Sequence, residues 1–241
     1  MGRLFGTDGV RGIANQDLTN ELAMQIGKAA AEILIKNRTA DTKPSVMIGK
    51  DTRASGDMLE AALTAGFCSV GVDVISVGVV PTPAIAYLVG EYGCEAGVMI
   101  SASHNPCEYN GIKIFQGNGY KLPDETEEEI EAIILDHTEE IEMKTGGAVG
   151  KRTFCKTALE DYIQHVVSAC EVRFDGMNIA IDTANGSASV CAKEIFTRLG
   201  AKCHMLSDTP DGVNINANCG STHPEELMEF VKANKLDMGL A

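Results

Sequence analysis

The stretch AGVMISASHNP, residues 96–106, decides the fold class that we predict for this chain. Five small or apolar residues, Ala96–Ile100, run without interruption into a mostly polar loop. A short apolar run of this kind is typical of a strand in a sheet that is buried on both faces. In open α/β sheets, ligand-binding groups lie in the loops just beyond the carboxyl ends of the strands. The stretch therefore predicts a central strand and places a candidate site directly after it.

Predicted helices and strands alternate on both sides of this stretch. Around it lie helices at 19–35, 55–70 and 82–89, strands at 46–49, 72–77 and 111–115, and then an acidic helix. The first helix is expected to be capped by Thr19 or Asn20 and the second by Ser55, because these residue types are preferred at helix amino termini. The small, uncharged residues 145–150 predict a linker near 140–155. A second series follows, with helices at 156–170, 187–199 and 224–233 and strands at 178–182, 201–206 and 236–240.

This alternation predicts an α/β fold of two consecutive α/β sandwich domains, at residues 1–145 and 155–241. The length of 241 residues suits two domains at the usual size of about 100–200 residues each. With 44% hydrophobic and 22% charged residues, the composition is that of a globular protein and not of a disordered chain.

The chain is acidic, with 34 Asp and Glu residues against 20 Lys and Arg residues and a formal charge of −14. Binding to nucleic-acid phosphates needs clustered basic residues, so this charge argues against a nucleic-acid partner. More than half of the charge lies at residues 121–144, where ten acidic residues accompany two lysines. Because isoleucines recur there at helical spacing, we interpret most of the segment as the solvated face of a surface helix, with an acidic interaction site as the alternative.

Cysteine spacing and hydropathy exclude several further classes of protein. The eight cysteines are at least twelve residues apart, so none forms the C-x-x-C pair of a zinc or redox site. Neither the opening residues, MGRLFG, nor the uncharged but proline-broken residues 74–90 are suited to a signal peptide or a bilayer span. We therefore expect reduced thiols, a cytoplasmic location and no membrane partner.

The loop SASHNP contains residue types that group transfer requires. A serine beside His104 and Asn105 can act as a nucleophile or a phosphoryl carrier, whereas the simpler interpretation is a polar turn. Adjacent serine and histidine side chains diverge, so a protease-like triad is disfavoured.

Two basic residues could serve the same loop. In GIKIF, residues 111–115, alternation places Lys113 on the face opposite the two isoleucines. There it either reaches the loop, as a proton-transfer group or phosphate clamp, or is simply solvated. In GTDGVRG, residues 6–12, Arg11 lies in a glycine-rich turn that suits anion binding, with an ordinary amino-terminal turn as the alternative.

Taken together, the motifs resemble the α-D-phosphohexomutase superfamily. The matching segments, in chain order, are GTDGVRG at 6–12, GKDTRASG at 49–56, ISASHNP at 100–106 and NGIK at 110–113. Residues 214–225, NINANCGSTHPE, resemble the branch of the superfamily that acts on a phosphorylated amino sugar. The resemblance covers essentially the whole chain and implies the α/β sandwich domains of the superfamily.

The resemblance also implies a reaction. The phosphoserine of the superfamily falls on Ser103, which would donate its phosphoryl group to glucosamine 6-phosphate. The resulting bisphosphate would return the phosphoryl group from its other oxygen, leaving glucosamine 1-phosphate, a peptidoglycan precursor. A Mg²⁺ ion bound to the phosphate on Ser103 would stabilise the charge on the transferring group.

Further residues receive roles from the same resemblance. Lys113 and His104 would assist proton transfer and position the phosphate, and Arg11 would hold the serine loop or the substrate. Asn105 and Asn110 would support the phosphate-binding loop. The resemblance gives these roles, and the spacing of the residues alone does not.

The sequence departs from the superfamily in one respect. Members carry an Asp-rich metal loop, D-G-D-x-D-R, after a strand like that predicted at 236–240, and this sequence ends at Ala241. We therefore expect an amino-terminal portion with an incomplete second domain, inactive alone and weak in Mg²⁺ binding, whose exposed sheet edge favours homo-oligomers. Two alternatives stay open: the same portion of a phosphomannomutase or phosphoglucomutase, and a non-catalytic phosphosugar-binding or interaction module.

Overall fold

The computed structural model describes residues 2–36 and 42–241. Within these residues a first sheet consists of β1 (Val10–Ile13), β2 (Ser45–Lys50), β3 (Asp73–Val79), β4 (Ala96–Ile100), β5 (Tyr109–Gln116) and β6 (Arg152–Phe154). Their spatial order is β1-β5-β4-β2-β3-β6. Strand β4 lies in the middle, parallel to β2 and antiparallel to β5, and its residues are all buried.

Helices cover both faces of this sheet. One face packs against α1 (Asn20–Lys36), α2 (Ser55–Ser69) and α4 (Asp124–Asp136). The other face packs against α3 (Thr82–Glu91), and α5 (Ala158–Ala169) and α6 (Ala192–Arg198) extend the same apolar cluster beyond α3. Because both faces are covered, the central strands are continuous apolar runs, as the sequence predicts.

A second, smaller sheet contains β7 (Asn178–Asp182), β8 (Lys202–Leu206) and β9 (Met238–Leu240). The three strands are parallel, in the order β8-β7-β9. Apolar residues of α6 pack on one face, and those of α7 (Glu225–Ala233) pack on the other. The predicted α/β class is confirmed in both sheets.

Two strands were not predicted from the sequence. The prediction of a turn around Arg11 is wrong, because this residue lies in β1 and pairs antiparallel with β5. The segment expected to be a linker contains a short 3₁₀-helix, Gly146–Ala148, and then β6, which adds to the edge of β3. Strands of three or four residues carry too little periodic pattern to be recognised without their partners.

Helix caps and the acidic helix show where local rules succeed and fail. Thr19 caps α1 as predicted, accepting a hydrogen bond from the Leu22 N–H at 3.1 Å. The predicted cap by Ser55 is wrong, because α2 has Ala54 at its amino-terminal cap. The solvated-face interpretation of α4 is wrong for Glu127 and Glu131, which are buried.

No helix in the described part of the chain has the length and apolarity needed to cross a membrane.

Candidate active site

The serine loop, residues 101–106, leaves the carboxyl end of β4 and turns back into β5. The Ser101 N–H donates to the Gly111 carbonyl oxygen at 2.9 Å, and the Asn105 N–H donates to the Ala102 carbonyl oxygen at 3.1 Å. Ser103 lies at the exposed tip in the left-handed conformation, with φ of 56°. Since a residue with a Cβ is strained there, the surrounding contacts must hold this conformation.

Ser103 lines a small pocket of about 140 Å³ together with Arg11 and Lys113; Asp8, Thr82, Met99 and Ser101 complete the lining. Sheet register brings the two cations together, because Arg11 pairs with Gly111 and Lys113 follows two residues later on the same strand. Gly111 leaves room for this arrangement, since a Cβ there would lie 2.9 Å from Arg11 Cγ.

The charges of the pocket favour an anionic ligand. Lys113 Nζ lies 3.3 Å from Asp8 Oδ1, and Arg11 Nη2 lies 3.6 Å from Asp8 Oδ2, so two cations share one carboxylate. The Nε of Arg11 is buried and has no hydrogen-bond partner among the described residues. A guanidinium with a free donor beside a lysine is suited to bind a phosphate group.

Arg53 lies beneath the serine loop with its side chain fully buried. Its Nε donates to Asp51 Oδ2 at 3.0 Å, and its Nη1 donates to the Pro106 carbonyl oxygen at 2.6 Å. Its Nη2 donates to the carbonyl oxygens of Ser103 and Asn105, both at 2.9 Å. The motif at 49–56 is recognised in the sequence, but no role is assigned there to Arg53. Its position just after β2, a buried strand that pairs with β4, is the feature of the sequence that could have indicated a role.

A residue from the second half of the chain contacts the same loop. The Nδ2 of Asn216 donates to the carbonyl oxygens of Ser103 and Asn105, both at 3.0 Å. Nothing in the sequence pattern assigns this contact, because the two segments are 111 or more residues apart. Two further hydrogen bonds join the same regions: Thr52 Oγ1 to the Asn185 carbonyl oxygen (2.6 Å), and the Ala54 N–H to the Gly212 carbonyl oxygen (2.9 Å).

The other predicted site residues border the pocket without lining it. His104 is exposed beside Ser103. Asn105 takes part through its main chain, as described above. Asn110 is fully buried, and its amide donates to Ser55 Oγ at 2.9 Å and accepts from the Gly111 N–H at 2.9 Å. Asn110 therefore joins the start of β5, which follows the serine loop, to the first residue of α2.

The described residues around Ser103 do not fit a magnesium site by themselves. Mg²⁺ prefers octahedral coordination by oxygen atoms, usually including one or two carboxylates. Asp8, the carboxylate that lines the pocket, is already shared between two cations. Within residues 2–36 and 42–241, no group of three or more His, Cys, Asp or Glu side chains could hold a metal ion.

Comparison with known proteins identifies the family. Residues 2–141 match the family described as phosphoglucomutase/phosphomannomutase, alpha/beta/alpha domain I. The chain belongs to this family. A crystal structure of a phosphoglucomutase/phosphomannomutase family protein from Burkholderia thailandensis superimposes with a TM-score of 0.79 at 25% identity, over 98% of this chain and 51% of that one.

Curated relatives narrow the similarity within the family. Phosphoglucosamine mutases from Clostridium novyi and Alkaliphilus metalliredigens are each 54% identical to this chain over its whole length. The chain spans 53% of the length of each relative. The resemblance to the phosphohexomutase superfamily is confirmed, and both relatives belong to the amino-sugar branch that residues 214–225 indicate.

Proposed function

We propose that this chain forms the phosphoryl-carrying part of a phosphoglucosamine mutase, which interconverts glucosamine 6-phosphate and glucosamine 1-phosphate. The observation that carries the proposal is the placement of Ser103 in one pocket with Arg11 and Lys113. The similarity to phosphoglucosamine mutases over the whole chain supports an amino sugar as the substrate.

In the proposed reaction, Ser103 Oγ carries a phosphoryl group. A hydroxyl oxygen of the sugar monophosphate forms a bond to phosphorus while the bond from phosphorus to Ser103 Oγ breaks. The hydroxyl proton passes to a base and Ser103 Oγ takes up a proton, giving a sugar bisphosphate and a free serine. Transfer of the other phosphoryl group back to Ser103 Oγ releases the isomerised monophosphate and restores the carrier.

The two cations of the pocket have separate tasks in this scheme. Arg11 binds phosphate oxygens through its partly exposed guanidinium, whose Nη2 lies 3.6 Å from Asp8 Oδ2 and is therefore not engaged in a normal hydrogen bond with it. Lys113 neutralises charge on the transferring group and exchanges a proton with the serine or the sugar hydroxyl. His104, beside the carrier, is the second proton-transfer candidate, and it must turn toward the pocket to act.

A serine substitution tests the proposal. The full reading frame that encodes these residues is expressed, and conversion of glucosamine 6-phosphate is followed by ³¹P NMR with Mg²⁺ present. We expect conversion by the unaltered protein, none by Ser103→Ala, and normal conversion by Ser168→Ala, an exposed serine of α5. Activity in Ser103→Ala would overturn the assignment of Ser103 as the phosphoryl carrier. Conversion of glucose 6-phosphate or mannose 6-phosphate faster than that of glucosamine 6-phosphate would overturn the proposed substrate.

We further propose that the 241-residue polypeptide by itself binds Mg²⁺ weakly and has no mutase turnover, because its described residues provide no carboxylate cluster. All eight cysteines are free thiols, which supports a cytoplasmic location. Turnover of glucosamine 6-phosphate by this polypeptide would contradict the first statement.

A further inference from the structure

We propose that Asn216 is a positioning residue that couples the second half of the chain to the geometry of Ser103. The proposal rests on the proposed function in so far as Ser103 carries the phosphoryl group. Asn216 touches neither the pocket nor its cations, so its effect on transfer would be exerted through the main chain of the serine loop.

Two donors converge on the same pair of acceptors. Arg53 Nη2, from the first half of the chain, and Asn216 Nδ2, from the second half, each donate to the carbonyl oxygens of Ser103 and Asn105 at 2.9–3.0 Å. A carbonyl oxygen has two lone pairs, so both donors can be accepted at once. The serine loop is therefore held from both sides by side chains that are distant from it in sequence.

The loop needs such support because its conformation is unfavourable by itself. Ser103 has a positive φ, which a residue with a Cβ adopts only when its surroundings impose it. Within the loop, the Ser103 N–H donates only to Ser101 Oγ, at 3.1 Å. Loss of an external donor would let the main chain of Ser103 relax toward a commoner conformation and move its Oγ relative to Lys113.

Asn216 is itself held firmly. Its own φ of 59° is a conformation that asparagine tolerates well, and its N–H donates to the Ala184 carbonyl oxygen at 2.9 Å. The hydrogen bonds of Thr52 and Ala54 to Asn185 and Gly212 fix the same junction. The serine loop is thus coupled to the placement of the second sheet.

The proposal predicts that loss of the Asn216 side chain lowers kcat and leaves KM nearly unchanged. Because Asn216 does not line the pocket, its loss should leave substrate binding nearly unchanged. Misplacement of a reacting atom by a fraction of an ångström to one ångström lowers turnover by about tenfold to a hundredfold. We therefore expect kcat to fall by at least about tenfold while KM changes by less than about threefold.

Asn216→Asp is the direct test, since it keeps the shape and removes the donor. Asn218→Asp is the matched control, because Asn218 lies two residues away, also has a positive φ of 55°, and is exposed. Asn216→Ala removes the donor without adding charge and replaces the first variant if that one does not fold. All variants are compared by thermal unfolding, so that a general loss of stability is recognised.

Hydrogen exchange of the 241-residue polypeptide gives a readout that does not depend on activity. We expect exchange at the Asn105 amide to be about fivefold to tenfold faster in the Asn216 variants and unchanged in Asn218→Asp. Exchange equal to that of the control would overturn the proposal, whatever the reaction of the protein proves to be.

The kinetic readout uses the full reading-frame protein. A fall in kcat with unchanged KM in Asn216→Asp and Asn216→Ala, but not in Asn218→Asp, supports the positioning role. Equal kcat in all variants overturns it. If the unaltered protein shows no mutase activity, the proposed function fails, while the exchange experiment still decides whether Asn216 holds the serine loop.

Discussion

Arg53 Nη2 lies 2.9 Å from the carbonyl oxygen of Ser103, so a fully buried guanidinium is bonded directly to the main chain of the candidate phosphoryl carrier. The same guanidinium is paired with Asp51, which is 2% exposed. One arginine therefore pairs with a buried carboxylate and also holds the main chain of the loop that contains Ser103.

Arg53→Ala should destabilise the protein by about 3–5 kcal/mol, because it leaves the Asp51 carboxylate buried without its partner. The free energy of unfolding in urea measures this. The control is Arg173→Ala, which removes an exposed ion pair with Asp175 and should cost less than about 1 kcal/mol. Similar losses of unfolding free energy in the two variants would contradict the prediction that the buried Arg53–Asp51 pair is needed for stability.

Glu131 should stabilise the protein in a pH-dependent way. Burial alone would raise the pKa of its carboxyl, but hydrogen bonds from the N–H groups of Phe5, Leu4 and Arg3, at 2.6–2.8 Å, lower the pKa overall. A lowered pKa in the folded state means that the stabilisation is present above the unfolded pKa and is lost as the pH falls through the folded one.

Glu131→Gln should therefore cost about 1–3 kcal/mol at neutral pH. The difference from the unaltered protein should shrink as the pH falls below the ordinary glutamate pKa of about 4.3. Urea unfolding at a series of pH values measures both effects. Glu128→Gln, an exposed change on the same helix, should have little effect at any pH, and a constant cost of Glu131→Gln across the series would contradict the prediction.

Gly9→Ala should cost more than a positive φ alone explains. Gly9 has a φ of 83°, and a Cβ there would collide with the Ile112 carbonyl oxygen on β5. Gly93, with a φ of 63°, has nothing within 4 Å of a Cβ, so Gly93→Ala isolates the conformational cost of about 1–2 kcal/mol. We expect Gly9→Ala to lose about 3 kcal/mol or more in thermal or urea unfolding. Equal losses in the two variants would show that the main chain at Gly9 and Ile112 moves apart at little cost in stability.

Two cysteines should differ in their rate of alkylation. Burial raises the pKa of the Cys191 thiol to about 11. Burial also acts to raise the pKa of Cys155, but hydrogen bonds with the Thr157 and Tyr92 hydroxyls lower it overall. At pH 8 the thiolate fraction is therefore larger for Cys155, and mass spectrometry should show it reacting with iodoacetamide well before Cys191.

Unfolding provides the control for this experiment. In denaturant both thiols lose their surroundings, so the two rates should converge. A rate difference that persists in denaturant would show that local sequence, and not the folded environment, controls the reactivity.

The sequence predicts the regular elements well where the pattern is long and fails where an element depends on a distant partner. Strand β4 is predicted with its observed bounds, because five buried residues are followed by a polar loop. Strand β1 is missed, because its four residues become a strand only by pairing with β5. The burial of Glu131 in α4 is missed for a related reason, since the N–H groups that hold its carboxylate belong to residues 3–5.

The same distinction holds for the candidate site. Ser103, Arg11 and Lys113 belong to recognisable motifs, and the fold brings them into one pocket. The roles of Asp8 and Arg53 depend on distances that the sequence does not contain, although both lie within recognised motifs. Asn216 has no local signal for its contact with the serine loop, because a hydrogen bond across more than a hundred residues is a property of the assembled fold.

One apolar cluster on the α3 face of the first sheet joins both halves of the chain. Met47 and Ile85 belong to it, and so do Tyr162, Ile163 and Ile195. A genetic crossover between related genes near codon 150 would therefore exchange one side of a packed interior for another, and not swap two independent modules. Viable recombinants should be rare there unless the residues facing each other across α3 and α5 are inherited from the same parent.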